Sequence, residues 1–332
     1  MAGPAPAVAD TRRAVRVVLE EFAPARVIVA VSGGADSLAL LAAATFEATS
    51  PRNSSRPYVI GVTVDHGLQD ESAATAERVV AQMAALGADE TATVRVQVDV
   101  AAGGVEAGAR QARYEALAEF AAHVDASLVL LGHTRDDQAE TVLMGLSRGS
   151  GGRSMAGMRA GFTDGDVRFA RPFLDITRDQ TEAACTALGL EWWEDPQNRD
   201  RRFLRARLRH VVLPLLEEEL GPGLRDALAR TAPALRADMD ALDDLTEDWL
   251  HTHPTLEAEA LLALPIALRT RVMRRAAVIA GARDSELSRE HVLAVDSLVT
   301  GWRGQAHIDL PGSMRAMRVD GRIEFVRSLT EP

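Results

Sequence analysis

Residues 26–37 read RVIVAVSGGADS, and the fold is decided by how this stretch is parsed. Behind Arg26 comes an apolar, largely β-branched run to Val31, the pattern of a short strand buried on both faces. The next six residues, Ser32–Gly33–Gly34–Ala35–Asp36–Ser37, break it, and helix formers follow to Thr45. A strand that turns straight into a helix leaves free backbone N–H groups and a positive dipole end at the turn. Two glycines let that backbone approach an anion closely. Ser32 and Ser37 add hydroxyl donors, and Asp36 can hold Mg²⁺ against phosphate oxygens. A merely tight turn needs one glycine and a cap. At residue frequencies of about 5–7% each, the five fixed positions recur by chance in about one window in a million. The stretch reads as a phosphate-gripping turn.

Working outward, apolar runs alternate with helical periodicity. Strands are expected at residues 58–64, 93–98 and 127–131, and helices at 73–86, 106–124 and 136–146. Strands separated by helices of this length make βαβ crossovers, so the fold class is α/β: a doubly wound parallel sheet with helices on both faces. Residues 51–57 read as a surface loop and 147–157 as a mobile one, followed by a strand at 167–170 and a helix at 179–190. A boundary falls near Leu213–Gly223, giving a catalytic domain at 1–213 and a smaller, mainly helical domain at 214–332. That second domain is expected to carry helices at 224–252, 257–262, 265–280 and 289–299. Its terminal hairpin would turn on Asp320–Gly321.

Composition removes several chemistries. All 37 basic residues are arginine, so no phosphate-loop lysine, Schiff-base lysine or lysyl nucleophile exists in these 332 residues. The absence reads as genomic composition. One cysteine, Cys185, cannot form an intrachain disulfide, a zinc knuckle or a two-thiol redox pair. No window of 18 apolar residues and no secretory signal is visible, so no membrane partner and a cytoplasmic location are expected. The net charge of −11 argues against nucleic acid only on average. Residues 214–260 hold twelve acids against three arginines, while 199–209 hold six arginines and one acid. Screening confines fields to about 8–10 Å, so the local arginine run is what a phosphate would meet. On charge alone, that run is as well explained by a solvated helix face.

Three further segments lie where ligands sit in such a sheet. VDHGL at 64–68 ends the second strand and supplies Asp65 and His66. In GHTRDDQAET at 132–141, His133, Asp137 and Glu140 share one helical face, although an acidic first turn complementing the helix dipole would also account for the acids. Glu106, Arg110 and Arg113 share another face beside Tyr114, a pattern that surface salt bridges also produce.

The SGGxDS turn resembles the signature of the PP-loop ATP pyrophosphatase superfamily. With VDHGL, EAGARQARY, GHTRDDQAET, LSRGSG at 146–151, Arg171–Pro172–Phe173–Leu174, Trp193–Glu194–Asp195, Asn198, Arg205, Arg209 and Leu213–Pro214, residues 26–216 resemble the tRNA(Ile)-lysidine synthetases. The resemblance implies an ATP-dependent ligase. ATP adenylates C2 of the wobble cytidine in a tRNA(Ile) with a CAU anticodon; free L-lysine then displaces AMP. It further implies that Ser32, Gly33, Gly34, Asp36 and Ser37 hold ATP phosphates and Mg²⁺. Asp65 and His66 would lie beside the nucleotide, with His133 near the adenylate. Arg113 would stabilise charge on the adenylate, while Asp137 and Glu140 orient the cationic lysine. In this light Arg148, Arg199, Arg201, Arg202, Arg205, Arg207 and Arg209 become contacts to tRNA phosphates. The chain departs from the family at Arg205–Ala206, where Arg-Asn is common; that asparagine contact is missing or taken over by Arg207.

Other readings are weaker. Thiolation by a PP-loop enzyme needs two or three thiols. A small-molecule PP-loop synthetase has no use for the arginine run, and a non-catalytic nucleic-acid module leaves Asp36, Asp137 and Glu140 without a purpose. Monomer and homodimer both stay open.

Overall fold

The structure, a computed structural model, describes residues 3–50, 56–65, 72–96, 105–149 and 151–328. In chain order the elements begin α1 (Pro6–Phe22), β1 (Arg26–Ala30), α2 (Ala35–Thr49), β2 (Tyr58–Asp65), α3 (Ser72–Ala85) and β3 (Glu90–Arg95). There follow α4 (Val105–His123), β4 (Leu128–Leu130), α5 (Arg135–Arg148), α6 (Gly152–Met155), β5 (Gly161–Asp164), β6 (Val167–Ala170) and α7 (Arg178–Ala187). After α8 (Leu204–Arg207), a π-helical stretch at Leu208–Val212 leads into α9 (Leu213–Leu220) and the long α10 (Leu224–Thr252). The chain closes with α11 (Ala258–Leu262), α12 (Ile266–Ala280), α13 (Arg289–Thr300) and β7 (Ile308–Leu310), β8 (Met314–Val319) and β9 (Arg322–Arg327).

Contacts divide the chain into two compact units: residues 1–143 with 157–230, and residues 144–156 with 231–332. The first holds a six-stranded sheet of order β3-β2-β1-β4-β6-β5, parallel except for β5 against β6. The sheet is doubly wound, as the alternation of strands and helices predicts. Period-two alternation explains why β1 is apolar after Arg26: Val27 and Val29 join one core with Leu19, Leu38 and Leu41, while Ile28 points into another with Ile60, Leu117 and Phe169. Chain order reverses between β1 and β4, so the loops leaving their carboxyl ends face each other across a switch point.

The second unit has its own core of Leu261, Val272, Met273, Leu298, Met314 and Ala316. Its sheet β7-β8-β9 contains the expected Asp320–Gly321 hairpin, with Val319 opposite Arg322.

α1, α6, α8, β5 and β7 fall outside the sequence reading, and α6 stands within the stretch 147–157 expected to be a mobile loop. The signal for α1 is the buried stripe Val8, Thr11, Val15 and Leu19 behind a proline in its first turn. β3 starts three residues earlier than expected, and as an edge strand of exposed and half-buried residues it lacks a strong alternating pattern. Residues 97–98 of that expectation, like the loop at 51–55, lie outside the described residues.

Candidate active site

The first glycine of the phosphate-gripping turn has to be a glycine. Gly33 sits at φ +83°, and a Cβ there would meet Val79 Cγ2 at 2.7 Å. Ser37 ties the turn together: its hydroxyl accepts from the Ser32 amide at 3.1 Å and donates to the Gly34 carbonyl at 2.9 Å. The Gly33 carbonyl is occupied by the Trp193 amide at 3.0 Å. The amides of Gly33, Gly34 and Ala35 meet no protein acceptor among the described residues, which leaves donors at the start of α2 for an anion. Across the switch point, a Cβ on Gly132 would lie 3.2 Å from the Asp36 carbonyl, so the β4 loop presses directly on this turn.

That contact gathers acids from two loops around two arginines. Asp36 accepts from the Thr181 hydroxyl and lies 3.5 Å from Arg178 Nε. Asp137 Oδ2 takes the Thr134 amide at 2.8 Å and hydroxyl at 3.0 Å, while its Oδ1 meets Arg178 at 3.1 Å and Arg209 at 3.2 Å. Arg209 also forks Glu140, whose side chain is wholly buried. Burial pushes the Asp36 carboxyl up to about 6, with Asp137 adding to the rise against the pull of Arg178. Asp137 is buried too, yet Arg178 and Arg209 hold it below the usual carboxylate range. Among the described residues no three His, Cys, Asp or Glu side chains gather as a metal cage. Asp36, a carboxylate beside the open amides of the turn, is of the kind that could hold Mg²⁺, an ion often bound by one or two carboxylates and substrate phosphates.

Next to the acids stands His133, its imidazole kept neutral by burial and by Arg171 and Arg113. Its Nδ1 accepts from Arg171 Nε at 3.2 Å, which leaves the proton on Nε2. Arg171 reaches on to the Tyr114 hydroxyl at 3.1 Å. Arg113 is half-buried on α4, and its Nε has no hydrogen-bond partner among the described residues. Asp65 ends β2, buried, with Arg95 3.4 Å away.

Comparison with known proteins adds an independent line. A family model described as a PP-loop domain matches residues 8–216, and one described as a TilS substrate binding domain matches 256–323. The tRNA(Ile)-lysidine synthase of Thermobifida fusca (strain YX) is 51% identical over 97% of this chain and 98% of its own length. That of Salinispora tropica is 49% identical over 98% of each. The chain belongs to the tRNA(Ile)-lysidine synthase family. A U34-tRNA thiolase from Methanococcus maripaludis, solved with its [4Fe-4S] cluster, shares the fold at a TM-score of 0.58 and 18% identity, over 69% of this chain and 79% of that one.

For this lysidine synthase family member, the structure brings together Ser32, Gly33, Gly34, Asp36 and Ser37 with His133, Asp137 and Glu140. His66 lies outside the described residues. The arginine run divides. Arg199, Arg201, Arg202 and Arg207 are exposed, whereas Arg205 and Arg209 are half-buried. Arg199 pairs with Glu194 and Arg202 with Asp200, and Arg207 donates to two carbonyls of its own loop. Arg148 is exposed at the end of α5. Sequence reasoning missed Arg178, which touches Asp36, Asp137 and Glu140, and Thr181, which holds Asp36. The available signal was the Thr177–Gln180 capping box, which fixes where α7 starts and so where both side chains point. Cys185 is buried and donates to the Ala35 carbonyl, so the one thiol of the chain is a packing group behind the turn.

Proposed function

We propose that this chain joins free L-lysine to C2 of the wobble cytidine of a tRNA(Ile) bearing a CAU anticodon, using ATP. The observation that carries this reading is the facing of two loops: an anion-gripping turn after β1, and a buried carboxylate pair, Asp137 and Glu140, after β4. In the first step the cytidine C2 oxygen attacks the α-phosphorus of ATP and pyrophosphate leaves. Amides at the start of α2 and the Ser32 hydroxyl suit the developing charge on that leaving group, while Ser37, whose proton goes to the Gly34 carbonyl, braces the turn that presents them. Mg²⁺ held by Asp36 would neutralise phosphate charge. In the second step the lysine ε-amine attacks C2, the bond to the adenylate oxygen breaks, and AMP departs.

Asp137 and Glu140 suit the substrate ammonium because both already hold cations here, Arg178 and Arg209. Exchanging the Arg209 guanidinium for an ammonium keeps the buried charge balanced. Glu140 would also take the proton that the amine must lose before attack. In this reading residues 1–213 are the catalytic domain and 214–332 the tRNA-binding domain. The exposed Arg199, Arg201, Arg202 and Arg207 meet tRNA phosphates, with Arg148, Arg205 and Arg209 completing the set. The protein works in the cytoplasm; among the described residues no helix is long and apolar enough to cross a membrane.

The test is direct. ATP, lysine and a tRNA(Ile) transcript with a CAU anticodon should together yield lysidine and AMP. Inactivity on that transcript, with ATP turned over on another acceptor, overturns the reading.

A further inference from the structure

Away from the carboxylates, three guanidiniums converge on one phenol. The Tyr114 oxygen accepts from Arg171 Nη2 at 3.1 Å and from Arg110 Nη2 at 3.3 Å, and the Arg113 guanidinium carbon lies 5.9 Å from the same ring. Among the described residues no carboxylate pairs with Arg110, Arg113 or Arg171. Burial lowers the Arg113 guanidinium from its ordinary value, and Arg110, Arg205 and Arg171 push the same way. Like charges packed together and stripped of water are unfavourable unless an anion joins them. Arg113 Nε, buried and unbonded, is a donor waiting for one.

The phenol organises the set. Two accepted hydrogen bonds occupy both lone pairs of the Tyr114 oxygen, so its own proton remains to be donated. Burial raises this phenol, but Arg171 and Arg110 outweigh burial and bring it below the ordinary tyrosine value. The ring is fixed edge-on against Phe162 and Phe169, at 5.6 and 5.7 Å between centroids, so the hydroxyl stays where the arginines meet. The cluster is also tied to the nucleotide turn. Arg171 donates to His133, whose neighbour Gly132 presses on Asp36.

We propose that Tyr114 is a positioning residue that holds Arg110 and Arg171 beside Arg113 as a receptor for one phosphate group, the phosphate left on the nucleotide when ATP is split; this rests on the ATP-dependent reading above. The donors then stabilise AMP as the leaving group of the amine step.

The experiment measures binding of AMP, of adenosine and of tRNA to the full-length wild-type chain and to Tyr114→Phe. The variant keeps the ring packing and removes only the oxygen. Loss of a hub for charged hydrogen bonds should weaken AMP about tenfold while adenosine and tRNA binding stay unchanged. Arg171→Lys, which keeps the charge but loses the fork between Tyr114 and His133, should weaken AMP likewise. Equal loss of AMP and adenosine would mark a merely structural role and overturn the proposal. So would intact AMP binding with weakened tRNA, which assigns the cluster to the tRNA backbone. Wild-type chain that makes lysidine yet binds no AMP overturns the receptor alone. Tyr114-dependent AMP binding without lysidine formation overturns the proposed function and leaves the receptor standing.

Discussion

Arg209 grips Glu140 with a two-pronged contact, Nε to Oε1 at 2.7 Å and Nη2 to Oε2 at 3.1 Å. The carboxylate is wholly buried, while the guanidinium is 22% exposed. A cation from the arginine run therefore neutralises the most deeply buried acid of the site. Under the proposed function, an arriving ammonium would take its place.

Removing one partner of such a pair leaves a desolvated charge. Arg209→Ala should destabilise the first unit toward the lower end of about 3–5 kcal/mol, because Arg178 still stands 3.9 Å from Glu140. Glu140→Gln in the same chain should recover most of that loss. Urea unfolding of the two single variants and the double variant gives the coupling directly. Additivity to within about 0.5 kcal/mol would show that the pair is not coupled.

Gly33→Ala tests the turn. A methyl group there would face φ +83° and a 2.7 Å approach to Val79 Cγ2. Left-handed backbone costs about 1–2 kcal/mol for a non-glycine residue, and overpacking about 1–3 more. Adding Val79→Ala relieves the clash but not the backbone. The double variant should regain part of the melting temperature while ATP binding, followed by calorimetry, stays weak. Full recovery of both would mean that the glycine is needed only for space.

Much of this arrangement is legible in the sequence. The β-branched run at 27–31 and the SGGADS turn declare the first strand and its switch-point loop, because both patterns are local. His133, Asp137 and Glu140 could be placed on one helical face from spacing alone. Arg178 and Thr181 could not. They reach Asp36 from 142 and 145 residues away, a partnership set by the packing of α7 on α2. The inward turn of Arg209 was equally hidden: within a run of six arginines, composition cannot say which ones find a buried acid. Nor does one charge pattern distinguish the cluster around Tyr114, which pairs with no carboxylate among the described residues, from surface salt bridges.

Cys185 offers a check on the packing behind the turn. Burial pushes its thiol up to about 12 from an ordinary 9.0. At pH 8 the folded chain holds almost no thiolate, so iodoacetamide should label native protein only through opening and unfolded protein readily. The sign for stability follows. Between pH 9 and about 12 the unfolded chain loses a proton that the folded chain keeps, so this thiol lowers stability as pH rises through that window. Rapid labelling of native protein at pH 8 would place the thiol nearer solvent than Ala35 allows.

Asp36 and Glu140 should separate the two chemical steps. Asp36→Asn keeps the shape that receives the Thr181 hydroxyl but removes the charge beside the phosphates. Adenylation, read as pyrophosphate release with tRNA and no lysine, should fall by about 10²-fold or more. Glu140→Gln leaves the anion-gripping turn untouched and acts on the second step alone, where the proposed function gives Glu140 both the ammonium and its proton. Pyrophosphate release should persist at close to the wild-type rate, while the lysine concentration needed for half-maximal lysidine formation rises about tenfold or more, the loss expected for one charged hydrogen bond. Asp137 still holds the Thr134 loop in that variant, so the β4 loop keeps its place against the turn. If Glu140→Gln lost pyrophosphate release as severely as lysidine formation, the acid would be shaping the nucleotide site through Arg209, and the assignment of the pair to lysine would fall.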